Sequence, residues 1–130
     1  MGLGPGVSSQ LYTMKYIIDR KRWQRGRGAA ESGLYLPENR KMCCLGQVAK
    51  QCGVSLKAMS MCGAPSSLKN ESILKLPKWL YHKKGRALVD SAACGKAMQA
   101  NDSEYVTDAG REKTLTALFA KHGDELVFIN

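Results

Sequence analysis

A chain of 130 residues, 44% hydrophobic and 24% charged, has ordinary globular composition and the size of one domain. Twenty lysines and arginines against 11 aspartates and glutamates give a formal charge of +9, which argues against mimicry of an acidic nucleic acid and for a negatively charged partner. The five cysteines form no CxxC pair and no secreted disulfide pattern, no apolar run approaches a membrane span, and the opening Met1–Gly6 lacks signal-peptide character, so a cytoplasmic protein with reduced thiols is expected.

Residues 1–13 are uncharged, glycine- and serine-rich and without periodicity, which reads as a flexible arm, a cloning remnant or a start upstream of Met14. The domain is expected over 14–130. Lys15-Tyr16-Ile17-Ile18 reads as a short strand and runs into Asp19–Gly28, the sharpest charge cluster in the chain. Residues 15–28 hold six bases and one acid, whereas residues 101–130 hold three bases and six acids. The charge is therefore polarised along the sequence.

Gly33–Leu36 is a candidate second strand closed by Pro37 and Asn39. Leu45, Val48, Ala49 and Cys52 then fall at i, i+3, i+4 and i+7, which predicts a helix ended by Gly53. Ser55 is placed to cap a short turn holding Leu56 and Met59, after which Gly63–Ser67 and Leu76-Pro77 break the pattern. Ala87–Ala100 reads as an alanine-rich helix with a shallow packing face. Asp108 is the candidate N-cap of a last helix with the stripe Leu115, Leu118, Phe119 and His122, and Gly123 stops it before the strand Leu126–Ile129. The economical fold is α+β, with the terminal strands paired in a small antiparallel sheet and three to four helices packed on one face.

Three stretches together resemble a family of small, mostly uncharacterised proteins encoded by tailed phages and prophages. They are Asp19-Arg20 to Trp23 with Arg25-Gly26, then Lys41-Met42-Cys43-Cys44-Leu45-Gly46, then Asn101-Asp102 followed by Arg111-Glu112 and Leu118–Gly123. The Cys-Cys-Leu-Gly element is the most specific, and the leader before Met14 lies outside the resemblance. The resemblance implies a phage origin and action in the host cytoplasm, with counter-defence as the role such small proteins often take.

Arg20, Arg22, Arg25 and Arg27 surround Trp23 on a segment that leaves a strand and enters a glycine turn. Guanidinium forks bind phosphate oxygens and an indole stacks on bases, so this segment is the candidate ligand site, to be weighed against a solvated strand edge with Trp23 in the core. Asn101, Asp102 and Arg111 form a second polar group that reads either as ligand contacts or as local helix capping. Gly26–Glu31 lacks the third glycine of a dinucleotide fingerprint, and no Walker sequence is present.

Cys43 and Cys44 follow Arg40 and Lys41, where a lowered thiol pKa would make a nucleophile, but only His82 and His122 are available as bases. Thiol catalysis is thus the minor alternative, Cys52 reads as core, and the spacing suits no zinc site. Neither a cofactor nor a catalytic residue is expected. The leading function is non-enzymatic capture of a phosphate-bearing ligand such as a nucleotide immune signal, in a pocket that a homo-oligomer could complete. Binding of RNA or DNA is the second class, drawing also on Lys78, Lys83, Lys84 and Arg86 around Trp79 and Tyr81. Inhibition of a host defence protein through Met59, Met61 and Trp79 is the third.

Overall fold

A computed structural model describes residues 12–26 and 33–130; residues 1–11 of the expected 1–13 arm and the candidate ligand residue Arg27 lie outside the described residues, and Thr13 of that arm donates to the Gly123 carbonyl at 2.7 Å. The elements run β1 (Met14–Asp19), α1 (Cys44–Gln51), α2 (Leu56–Met59), α3 (Asn70–Ile73), β2 (Tyr81–Lys84), β3 (Ala87–Asp90), α4 (Ala92–Asp102), α5 (Asp108–Lys121) and β4 (Asp124–Ile129). The α+β class is as expected.

The terminal strands do pair, Met14 opposite Asp124 through Asp19 opposite Ile129, but in parallel rather than antiparallel. Alternation of apolar residues marks a strand without giving its direction, and direction is set by the route between strands. Here the whole helical middle serves as the crossover that a parallel pair requires. The last step is short, because α5 stops at His122 and Gly123, at φ +86°, turns the chain straight into β4. Tyr16, Ile18 and Leu126 face the core, whereas Ile17 is 40% exposed.

A two-stranded sheet leaves open edges, and α1 closes the one on β1. Gln51 accepts from the Ile17 amide at 2.9 Å and donates to its carbonyl at 2.8 Å. Gln47, one turn earlier, accepts from the Asp19 amide at 2.8 Å and donates to its carbonyl at 3.1 Å. Two carboxamides at i and i+4 thus stand in for a third strand.

The Cys-Cys-Leu-Gly element has a packing explanation. Cys43 is the N-cap of α1, its sulfur accepting from the Gly46 amide at 3.4 Å, and the Cys44 amide donates to Asn101 Oδ1 at 2.9 Å. A Cβ on Gly46 would run into the Leu34 carbonyl, so only glycine lets α1 lie against that backbone.

Several local expectations change. Gly33–Leu36 is no strand; Tyr35 and Leu36 make only isolated bridges, to Ser60 and Lys41. Ala87–Asp90 is β3 rather than helix and pairs antiparallel with β2 across Gly85, at φ +63°. The helix starts instead at Ser91, whose hydroxyl accepts from the Cys94 amide at 3.0 Å. Thr107, not Asp108, caps α5, accepting from the Gly110 amide at 3.1 Å, and leaves Asp108 in the first turn. His122 is exposed and stacks on Trp79 at 4.6 Å instead of joining the core stripe. The core comprises Trp23, Leu34, Leu45, Val48, Met59, Ile73, Leu80, Leu115 and Phe119 with their buried neighbours.

Candidate functional site

The segment leaving β1 folds against the start of α5, which brings the basic stretch of the sequence onto its acidic third. Arg20 forks onto Glu112, Nε to Oε2 at 2.8 Å and Nη2 to Oε1 at 2.7 Å. Arg25 reaches Asp108 Oδ2 with Nη2 at 3.1 Å, and its Nη1 bonds the carbonyls of Arg20 and Trp23 at 3.3 and 3.1 Å. Its guanidinium lies 4.4 Å from the Trp23 ring centroid. Arg22 is exposed and belongs to a separate shallow recess with Asp19, Met42 and Lys50.

Trp23 is not an open stacking platform. Its ring is 2% exposed, packs 5.1 Å from Phe128, and its indole donates to Asn101 Oδ1 at 2.7 Å. Asn101 in turn donates to the Gln24 carbonyl at 3.0 Å and to Asp102 Oδ1 at 2.9 Å. Both lone-pair sites and both amide hydrogens of this buried side chain are therefore used within the fold, which is the capping role rather than ligand contact.

Arg111, 3% exposed, closes the end of α4. Its Nη1 donates to the carbonyls of Ala100, Asn101 and Ser103 at 2.9, 2.9 and 2.8 Å, and its Nη2 to Val106 at 3.3 Å. A guanidinium at the negative end of a helix is electrostatically favoured, and here it collects carbonyls that the helix leaves unpaired. Its Nε also reaches Asp108 Oδ1 at 3.4 Å. Gly26, at φ +73°, passes close enough that a Cβ would sit 3.0 Å from Arg111 Nη2.

These residues border a cleft of about 330 Å³ above Trp23 and Gln24, walled by Arg25, Gly26, Lys41, Asp108 and Arg111. Among the described residues three cations face one carboxylate across it. The Asp108 carboxyl, held below its ordinary 3.8 first by the Arg25 hydrogen bond, is an anion gripped between two guanidinium groups. Lys41 is exposed and pairs with no carboxylate among the described residues, and Arg25 Nε is buried with no hydrogen-bond partner.

A larger cleft of about 840 Å³ opens on the other side of the α4 end, bordered by Gly63, Met98, Asp102, Glu104 and Tyr105. Among the described residues it offers two carboxylates and no cation, so an anion fits the smaller cleft. Asp102 borders this larger cleft and accepts from Asn101 Nδ2.

The thiols lack the lowered pKa that the minor, nucleophilic reading needs. Cys43 and Cys44 are buried, and burial pushes Cys43 up to about 12 and Cys44 well above its usual range. All five cysteines are free. Among the described residues no group of histidine, cysteine and carboxylate side chains could hold a metal ion, and no helix is long and apolar enough to cross a membrane. Comparison with protein-family models, curated proteins and solved structures gave no match.

Sequence reasoning missed Lys41, Asp108 and Glu112 as parts of this region. Lys41 carried a signal in its place before the Cys-Cys-Leu-Gly element; the two carboxylates carried none that links them to residues more than eighty positions away.

Proposed function

We propose that this protein is a non-enzymatic binding protein that captures a phosphate-bearing small ligand, such as a nucleotide signal, in the cleft between Arg25, Lys41 and Arg111. The observation that carries this reading is the grip of Arg25 and Arg111 on the Asp108 carboxylate, because two convergent guanidinium groups are set up for an oxyanion. Asp108 is 55% exposed on its side chain, so an incoming phosphate has room to displace it. Lys41 then adds a third, unneutralised charge, and Arg25 Nε a donor that gains a partner.

The resemblance of the Asp19–Gly26 and Lys41–Gly46 stretches to phage proteins supports sequestration of a host defence signal as the biological role. Buried, protonated thiols leave Cys43 without the character of a nucleophile, which favours capture over thiol chemistry. Calorimetric titration with pyrophosphate tests the site. The parent should bind one equivalent, and Lys41→Ala, which removes an exposed side chain, should bind about tenfold more weakly with an unchanged melt. Equal affinity of the two proteins would move the ligand away from this cleft.

A further inference from the structure

The fold pairs two of the six bases of the N-terminal segment, Arg20 with Glu112 and Arg25 with Asp108, and a further set of cations stays free elsewhere. Between Lys78 and Arg86 there are four cations and no acid, and none of Lys78, Lys83, Lys84 or Arg86 pairs with a carboxylate among the described residues. Lys83, Lys84 and Arg86 sit at the exposed tip of the β2–β3 hairpin around Gly85.

This tip stands on a rigid base. Leu80 and Leu88 are buried, the Trp79 indole donates to Asp124 Oδ2 at 2.8 Å, and the Ser91 hydroxyl donates to the Trp79 carbonyl at 2.7 Å. Asp90, the one carboxylate of the hairpin, lies at the base and accepts from the Ser66 amide and hydroxyl, both at 2.9 Å. The cations are thus presented by a fixed ribbon, separated from their own nearest acid.

We infer that the β2–β3 hairpin is a second binding surface, directed at duplex DNA, with its tip entering the major groove and its cations meeting the phosphate walls. Two strands about 4.8 Å apart form a ribbon narrow enough for a groove about 12 Å wide. Neighbouring strand residues point to opposite faces, so Lys83 and Lys84 serve the two sides of the ribbon while Arg86 leads at the turn. Gly85 and Ala87 keep the tip slim. Duplex RNA fits less well because its major groove is deep and narrow, and an anionic membrane fits less well because the tip carries no large apolar side chain to insert. This surface is independent of the Arg25–Lys41–Arg111 cleft.

The test is fluorescence anisotropy with a short labelled DNA duplex, run across a salt series. The parent should bind, and the Lys83→Gln, Lys84→Gln, Arg86→Gln variant should lose at least about tenfold in affinity. Its salt slope should fall by roughly 0.9 for each phosphate contact removed. A charge-matched control, Lys50→Gln, Lys57→Gln, Lys113→Gln, should bind as the parent does, since these exposed lysines lie on α1, α2 and α5 rather than on the hairpin. A thermal melt of the hairpin variant matching the parent's would confirm that it is folded. The proposal is overturned if the parent fails to bind duplex DNA, if the control loses as much as the hairpin variant, or if duplex RNA or phosphatidylserine vesicles bind the parent more tightly than DNA.

Discussion

At the residue scale, the arginines divide by what they touch. Arg25 combines an ion pair, two bonds to carbonyls and a face-on contact with Trp23, so Arg25→Ala should cost about 1–2 kcal/mol of stability, read from denaturant melts. Lys41→Ala should stay within about 0.5 kcal/mol of the parent, which makes it the cleaner probe of binding. The sequence around Arg25 is the more basic of the two and gives no sign that Arg25 is the one bound within the fold; the deciding partner, Asp108, is distant in the chain. The same holds for Asn101, whose type suits a cap or a ligand contact alike until its four partners are known. Asp108 also predicts a pH dependence. Its carboxyl is depressed in the folded state, first by Arg25, so the stability it adds is present above its unfolded pKa and is lost as the pH falls through its folded value. An Asp108→Asn variant should show a flatter acid limb in a melt-versus-pH series, and, with the competing charge gone, tighter pyrophosphate binding.

At the element scale, the helices with a clear apolar face were legible and the hairpin was not. Leu45, Val48, Ala49 and Gly53 identify α1 to within a residue because burial face and stop signal agree. Ala87–Asp90 misled because alanine, leucine and valine serve either structure, and β2 was hidden because His82-Lys83-Lys84 are poor strand formers that pair only on the strength of the Gly85 turn. The register of α1 against β1 was also illegible, since glutamine has no typical place in a core. Gln47→Ala, by leaving the Asp19 amide and carbonyl without partners beside a buried position, should destabilise by about 1–3 kcal/mol, measurable by denaturant unfolding. Gly46→Ala should be worse than that, because the Leu34 carbonyl is backbone and cannot rotate away; a soluble, cooperatively melting Gly46→Ala protein would contradict the packing described for α1.

At the scale of the whole molecule, the polarised charge of the sequence turns out to be a folding complement. The basic stretch after β1 meets the acidic first turns of α5, and the excess of positive charge is displayed elsewhere, above all on the β2–β3 tip. The α+β class followed from strands at both ends with helices between, but their parallel pairing did not, because direction depends on how the crossover packs rather than on any residue within the strands. What remains central is the cleft where Arg25 and Arg111 hold Asp108 beside Lys41. The most direct measurement is mass spectrometry of small molecules released by denaturing the purified protein, compared between the parent and Lys41→Ala. The parent should release close to one equivalent of a phosphate-bearing compound, chemically unchanged on repeated exposure to fresh protein, and the variant markedly less. Release of a phosphorus-free compound, conversion of the ligand to a product, or equal yields from parent and variant would contradict capture at this cleft.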